Sequence, residues 1–308
     1  MASSPLEIAV EPRWPLRLPR RGGGDGTMRS ADGVITRFLH VGERPVIAHV
    51  WQRRSGEIAL RAVPGGEGVD REALEVAVAR MRFAFGVDDD LSDFFAAFKR
   101  DPLLGPALAR RPWVRPRRRP WPWEALAWAI TAQLIESGEA LAIQRRIVRR
   151  WGPEADAPAT IGRRRGPLRD VPTAEMIARS APAELAACGL APRRALAMLA
   201  CAREVAGGHT DLTDPGDDRR LLTIRDIGPW TIQCLGIAGR GDPDSLPAGD
   251  LAYVKLVGRL AGLRRRATVE EVEEYFKPYA PYRGLAGVFA LSHYHLGIEA
   301  GPPLRLAA

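Results

Sequence analysis

The sequence predicts an α+β chain in which a strand-rich N-terminal part precedes an entirely helical part. Residues 5–63 alternate apolar and polar positions and are rich in β-branched and aromatic residues, which is typical of strands. Beyond residue 123 apolar residues recur at helical spacing, and no strand pattern appears. We therefore expect an α/β domain over residues 1–112 and a helical domain over residues 113–308.

Two helices follow the strands. Residues 70–86 carry apolar positions at helical spacing and end on a glycine, so they predict a helix that stops there. Residues 90–102 predict a shorter helix capped by Asp90 or Ser92. The stretch 110–123 contains too many prolines for a regular element, and we interpret it as the connection between the domains.

The helical part begins with two helices over residues 123–152, broken near Leu134–Ser137. Thr173 is an expected N-cap, and the next two helical runs each end at glycine, as helix C-termini often do. Residues 216–228 predict another helix. Its turn, Asp226–Gly228, depends on a glycine that tolerates positive φ, and a further helix starts at Pro229.

The composition favours a soluble protein with an acidic partner. The formal net charge is +8, and nucleic acid is the commonest acidic partner of basic proteins. Only three of the 45 basic residues are lysines, so a composition bias toward arginine explains part of this charge. Three arginine clusters still indicate a basic surface, and they lie at Arg115–Arg119, Arg163–Arg165 and Arg264–Arg266.

Location and metal content are expected from what the sequence does not contain. No apolar run approaches the ~20 residues needed to cross a bilayer, and the N-terminus does not resemble a secretion signal. We therefore expect a cytoplasmic protein with no membrane partner. Cys188, Cys201 and Cys234 fit no common zinc spacing and are too few for a four-cysteine iron–sulfur cluster, so no metal site is expected.

Two features near the C-terminal end permit both a structural and a functional interpretation. The turn before Pro229 belongs to an ordinary helical hairpin, but a helix N-terminus after a glycine turn also suits a phosphate. Asp250 in LPAGD is an expected helix N-cap. A carboxylate at a helix N-terminus is stabilised in its charged form, and such a group can stabilise a developing cation.

The order of these motifs resembles the helix-hairpin-helix DNA glycosylases, in particular the DNA-3-methyladenine glycosylase II branch. The hairpin motif reads IRDIGPWTIQCLGIAG, and Asp250 follows it. Collinear segments include the paired helices of 123–152, the LAACGLAPRRALAML segment and FKPYAPYRGLAGVFAL, so the resemblance covers roughly residues 70–295. It implies an N-terminal domain like the TATA-binding protein, followed by helices that flank an active-site cleft.

The resemblance also implies a reaction, which is the hydrolytic release of a flipped, alkylated base such as 3-methyladenine or 7-methylguanine. Asp250 matches the catalytic aspartate, which stabilises positive charge at C1′ and positions or deprotonates the attacking water. Trp230 is an expected wall of the base pocket, although a buried core tryptophan is the competing interpretation. It stands where relatives that also cleave the strand carry a lysine, so base release without strand cleavage is expected.

The remaining site positions follow from the same alignment of motifs. Leu134 matches the side chain that fills the gap left by the flipped base, and a buried turn leucine is the alternative. Backbone N–H groups of Asp226, Gly228 and Thr231 match phosphate contacts. Asp226 departs from the usual glycine and puts a negative charge there. Two further pocket positions differ from the usual aromatic residues, and they are occupied by Cys234 and Leu291.

The resemblance sets expectations for cofactors and partners. We expect no cofactor and no iron–sulfur cluster, with a monovalent cation on hairpin carbonyl oxygens as an option. The expected partner is double-stranded DNA that contains damaged bases, bound by a monomer. Two alternatives stay open: a glycosylase of this fold for deaminated or oxidised bases, and a non-catalytic module that binds DNA damage. Asp250 argues against the second alternative.

Overall fold

A computed structural model describes residues 4–20, 23–155 and 166–294 of the 308-residue chain. The predicted α+β class is confirmed by a five-stranded antiparallel sheet followed by helices. The strands are β1 (Leu6–Val10), β2 (Met28–Ala31), β3 (Val34–Val41), β4 (Arg44–Gln52) and β5 (Ile58–Pro64). They are ordered β1-β5-β4-β3-β2, so the first strand pairs with the last and the other neighbours are joined by hairpins.

The helices are α1 (Arg71–Phe85), α2 (Ser92–Phe98), α3 (Gly105–Arg110), α4 (Pro122–Ala132), α5 (Ser137–Trp151), α6 (Ala174–Ala178), α7 (Pro182–Ala187), α8 (Pro192–Ala206), α9 (Asp218–Leu221), α10 (Pro229–Leu235), α11 (Leu251–Leu260), α12 (Val269–Phe276) and α13 (Arg283–Tyr294). The predicted break between α4 and α5 is confirmed, and so is the absence of regular structure between α3 and α4.

Helix α1 packs on the sheet and closes the first hydrophobic core. The predicted end of this helix is confirmed, because Gly86 adopts the left-handed conformation with φ 63° and its N–H bonds the Arg82 and Phe83 carbonyls. Asp70 caps the other end by accepting from the Ala73 N–H. The apolar face of α1, which includes Leu74 and Met81, is fully buried against the strands.

Two further cores divide the helices. The first helical core is formed mainly by α4 to α8 and α10, with Trp128, Ile147 and Met198 among its buried side chains. The second helical core joins α2 and α3 to α11, α12 and α13. The predicted domain boundary at residue 112 stays a prediction. Residues of α2 and α3 precede that boundary and yet pack with the C-terminal helices.

A buried ion network joins the sheet to the start of α4. Arg37 of β3 is fully buried, and its Nη2 lies 2.7 Å from Glu124 Oε2 and 3.1 Å from Asp170 Oδ1. Arg119 pairs with Asp25 at 2.8 Å and with Glu124 at 3.3 Å. Because these carboxylates share two arginines in the interior, the network fixes α4 relative to the sheet.

The arginine clusters have different fates. In Arg115–Arg119 the side chains of Arg115 and Arg118 are nearly buried and pair with Asp89, and Arg119 joins the buried network. The interpretation of this cluster as basic surface is therefore wrong for these three residues, because each of them forms an ion pair with a carboxylate inside the protein. The cluster Arg163–Arg165 lies outside the described residues. Arg264–Arg266 lines a shallow surface depression together with Lys255 and Arg259.

No helix in the described ranges combines the length and the apolar character needed to cross a membrane.

Candidate active site

The predicted hairpin is present, with its first helix shorter than expected. In place of a helix over 216–228, α9 ends at Leu221. The next turns are tighter, because Thr223 and Ile224 donate to carbonyls three residues back at 3.1 and 3.0 Å. The Thr223 hydroxyl also donates to the Arg220 carbonyl and closes the helix end. Helix α10 starts at Pro229 as predicted, with Gly228 as its N-cap.

The left-handed residue of this turn is Asp226. Gly228 has φ −127° and ψ −179°, which is extended backbone, whereas Asp226 has φ 68°. The prediction that Gly228 supplies the positive φ is therefore wrong, and Asp226 supplies it, as aspartate does more readily than most residues. A Cβ on Gly228 would meet no atom within 4 Å, so the backbone faces open space there.

The negative charge of Asp226 is paired within the protein. Arg193, in the first turn of α8, donates from Nε to Oδ2 at 3.1 Å and from Nη2 to Oδ1 at 2.7 Å. Such a two-point contact is the strong form of an arginine–carboxylate bond. Asp226, which replaces the family's usual glycine, is thus paired with the Arg193 cation. The sequence analysis did not identify Arg193 as a partner of the hairpin.

Two hydrogen bonds from Gln133 connect the hairpin to the turn between α4 and α5. Gln133 Nε2 donates to the Asp226 carbonyl at 2.9 Å and to Thr231 Oγ1 at 3.0 Å. The Thr231 N–H donates to the Gly228 carbonyl at 3.0 Å, and Thr231 is buried. The backbone N–H and the hydroxyl oxygen of Thr231 are both used in internal hydrogen bonds, and its phosphate contact stays a prediction.

Leu134 follows Gln133 in the chain, and its side chain projects from the surface. Its side chain is fully exposed, and its φ of 56° places it in the left-handed region, which costs a non-glycine residue free energy. The alternative interpretation of a buried turn leucine is wrong. Arg194 holds this conformation by donating to the carbonyls of Thr131 and Gln133 at 3.1 and 3.0 Å. An exposed leucine held rigidly in this way has the form expected of a wedge.

Asp250 is the predicted N-cap of α11. Its Oδ1 accepts from the Ala252 N–H at 2.8 Å, and its backbone is extended. The residue is half-buried, and within the described part of the chain no arginine or lysine pairs with it. Its second carboxylate oxygen therefore remains available to a ligand. The structural and the catalytic interpretations of Asp250 are compatible in this geometry.

Trp230 lies beside the backbone that carries Asp250. Its Cδ1 and Cβ are 3.7 and 3.8 Å from the position that a Cβ on Gly249 would occupy. Trp230 is half-buried, and its buried indole N–H has no hydrogen-bond partner within the described residues. A buried indole N–H usually finds a partner, so this tryptophan differs from a satisfied core residue.

Two side chains extend the surroundings of Asp250. Burial raises the pKa of the Cys234 thiol, and the Asp250 charge raises it further. Burial likewise raises the pKa of Tyr253, with additional contributions from Asp250 and Cys234. The thiol and the phenol are therefore both neutral near pH 7, and the Asp250 charge acts on both of them. Tyr253 was missed, although it stands three residues after Asp250 on the same helix.

Leu291 is the remaining predicted pocket residue. It lies on α13, half-buried against the second helical core, where its neighbours include the aromatic side chains of that core. Its described contacts do not bring it to Asp250 or Trp230, so its place in a base pocket stays a prediction.

The hairpin carbonyls allow a test of the expected monovalent cation. The carbonyl oxygen of Asp226 accepts one hydrogen bond, whereas that of Gly228 already accepts two, from the N–H groups of Thr231 and Ile232. A carbonyl has two lone pairs, so the Asp226 oxygen can take a cation as a second partner while both lone pairs of Gly228 are used, and the cation stays an expectation. In residues 4–20, 23–155 and 166–294, no three His, Cys, Asp or Glu side chains are grouped to hold a metal ion.

Comparisons with known proteins place these residues in a family context. The family described as "HhH-GPD superfamily base excision DNA repair protein" matches residues 127–281, which include Leu134, the hairpin and Asp250. A DNA-3-methyladenine glycosylase of Bacillus subtilis (strain 168) is 23% identical over 261 residues, covering 83% of this chain and 84% of that protein.

Two solved structures share the fold. The 3-methyladenine DNA glycosylase from Archaeoglobus fulgidus superposes with a TM-score of 0.78 at 19% identity, covering 95% of this chain and 100% of that one. An 8-oxoguanine glycosylase/lyase from Clostridium acetobutylicum, solved with double-stranded DNA, gives 0.66 at 13% identity over 89% of each chain. Since the family match spans half of the sequence, this chain belongs to the HhH-GPD superfamily of base excision DNA repair proteins.

Proposed function

We propose that the chain is a monofunctional DNA glycosylase that releases alkylated bases of the 3-methyladenine and 7-methylguanine type from duplex DNA. The named Bacillus relative, a DNA-3-methyladenine glycosylase, supports this choice of substrate. The proposed partner is double-stranded DNA containing damaged bases, bound by one copy of the chain without a cofactor in the cytoplasm.

The geometry of Asp250 is the observation that carries the proposal. One carboxylate oxygen is held by the Ala252 N–H, the other is unbonded within the described residues, and no cation pairs with it. A carboxylate fixed in this way stabilises the positive charge that develops at C1′ as the base departs. Its free oxygen positions or deprotonates the water that attacks the sugar.

The departing base needs a site that favours a cation. An alkylated purine already carries positive charge and leaves without an acid, and an aromatic ring face attracts such a base. Trp230 lies against Gly249, next to the catalytic carboxylate, and supplies that ring. Cys234 and Tyr253, whose raised pKa values keep them neutral near pH 7, add no charge beside Asp250.

Water acts as the nucleophile because the hairpin has no amine. Trp230 occupies the position where lyase-type relatives carry lysine, and Lys255 is exposed on α11 beyond Asp250. The products are a free base and an intact strand with an abasic site. Leu134 fills the gap that the flipped nucleotide leaves, and the N–H groups of the hairpin contact the DNA backbone.

The test measures free 3-methyladenine and 7-methylguanine released from methylated duplex DNA. Asp250→Asn keeps an N-cap and removes the charge, so release falls by about 100-fold or more, while affinity for duplex is retained. Asp70→Asn, at the N-cap of α1, is the matched control and releases bases at the wild-type rate. Equal release by Asp250→Asn and wild type contradicts the assigned mechanism.

The same assay separates the other candidate functions. Release of deaminated or oxidised bases without alkylated ones means another lesion class on this fold. Tight binding to damaged duplex without release of any base means a binding module. Strand cleavage at the abasic site by the purified protein contradicts the monofunctional assignment.

A further inference from the structure

The ion pair between Arg193 and Asp226 lies where the hairpin and the Leu134 turn meet. Gln133 bonds the Asp226 carbonyl, and Arg194 bonds the Gln133 carbonyl. The two consecutive arginines therefore bond different partners. Arg194 donates to backbone carbonyls of the Leu134 turn, and Arg193 pairs with Asp226 of the hairpin. A DNA strand that receives Leu134 and contacts the hairpin passes beside Arg193.

Arg193 keeps most of its hydrogen-bonding capacity. Its side chain is 68% exposed, and Asp226 engages one N–H at Nε and one at Nη2. A guanidinium has five N–H donors, so three remain free for a second acceptor. Within the described residues Asp226 is its one carboxylate partner.

The position of this arginine is costly for the helix. Arg193 and Arg194 both lie in the first turn of α8, which contains no acidic residue. Cations are unfavourable at a helix N-terminus because the dipole is positive there. Arg194 offsets that cost through two backbone hydrogen bonds. Arg193 has one exposed pair, and exposed pairs contribute little to stability.

We propose that Arg193 binds a phosphodiester of the DNA backbone and that Asp226 orients it for this contact. Asp226 holds the Nε edge of the guanidinium and leaves Nη1 and the second Nη2 hydrogen directed to solvent. The arginine cancels the aspartate charge beside the backbone site and adds a phosphate contact. This inference rests on the proposed function for the DNA partner, and it assigns a contact made by a side chain.

The test compares Arg193→Ala, alone and combined with a change at Asp226, by binding to undamaged duplex DNA at several salt concentrations. Arg193→Ala loses the phosphate contact and leaves the charge of Asp226 unpaired, so affinity falls about 20-fold. The slope of log affinity against log salt concentration decreases in magnitude by about 0.9, the value for one phosphate contact. Arg193→Ala combined with Asp226→Asn recovers part of the affinity, to about fivefold below wild type, and keeps the reduced slope. Asn also tolerates positive φ, so the turn is retained.

Arg71→Ala is the matched control, because Arg71 forms a similarly exposed pair with Glu75 on α1. It leaves affinity and salt slope unchanged. A double variant that binds like wild type with an unchanged slope overturns the proposal, since Arg193 then only neutralises Asp226. An Arg193→Ala variant that matches Arg71→Ala overturns it as well.

Binding to undamaged duplex needs no chemistry, so the two proposals fail separately. If the wild type releases no base but Arg193→Ala shows the predicted loss, the glycosylase assignment fails and the phosphate contact stands. If bases are released and the Arg193 variants bind like the wild type, the glycosylase assignment stands and the phosphate contact fails. Equal thermal unfolding midpoints for all variants confirm that the differences arise in the complex.

Discussion

The two ends of α4 differ in which kind of side chain is buried and which is exposed. At its start Glu124 is completely buried and is held by Arg37 and Arg119. At its end the chain presents Leu134, fully exposed and left-handed. Charge is inside and an apolar side chain is outside, the reverse of the usual distribution. The buried end can be explained by the fold, whereas the exposed end lowers stability, and the DNA contact proposed for Leu134 would account for it.

The largest expected effect comes from breaking the buried end. Among the described residues, Arg37→Met leaves Asp170 without an arginine partner and leaves Glu124 and Asp25 with Arg119 alone, which costs about 3–5 kcal/mol of unfolding free energy. Chemical denaturation followed by circular dichroism measures this loss. The control is Arg44→Met, which removes an exposed ion pair between Arg44 of β4 and Asp70, the N-cap of α1. Similar midpoints for the two variants would contradict the assignment.

An intermediate effect is expected at the exposed end, with stability and binding moving in opposite directions. Leu134→Gly relieves the left-handed conformation and raises the unfolding free energy by about 1 kcal/mol. It also removes the wedge and weakens binding to a duplex with an abasic-site analogue about tenfold, or ~1.4 kcal/mol. Leu134→Ala weakens binding similarly without the gain in stability. A loss of stability in either variant means that Leu134 is part of a core.

The smallest expected effect is a pH dependence at the buried end. Burial raises the pKa of Asp25, but Arg119, Arg37 and Thr27 outweigh burial and hold the pKa below its usual 3.8. A carboxyl with a depressed pKa in the folded state contributes stability above its unfolded value, and that stability is lost as the pH falls below about 3.8. Asp25→Asn should flatten the acid side of a plot of unfolding free energy against pH. An unchanged slope in this variant would exclude Asp25 as the source.

Local signals explain what the sequence could predict. The helix break near Leu134–Ser137, the N-cap at Asp250 and the helix end at Gly86 each depend on residues within a few positions, and the structure has all three. The buried network is different. Arg37 is 87 residues from Glu124 and 133 from Asp170 along the chain, and a lone arginine in a strand is normally interpreted as exposed.

The hairpin shows the same limit at shorter range. The charge of Asp226 conflicts with a phosphate site when only the turn is considered. In the structure Arg193 pairs with Asp226 and neutralises its charge. Arg193 lies 33 residues earlier in the chain, and no sequence periodicity relates the two positions. The short length of α9 likewise follows from the conformation of the turn, which propensity does not encode.

The division of the second helical core between two distant parts of the chain has a consequence for synthesis. Phe94 and Leu104 emerge from the ribosome early, whereas their partners Leu256, Phe276 and Phe289 follow only after the whole first helical core. At roughly 5–20 residues per second, α2 and α3 wait on the order of ten seconds for these C-terminal partners. Until α13 has been synthesised, the nascent chain thus carries a partly uncovered aromatic surface, and chaperones have that interval in which to bind it.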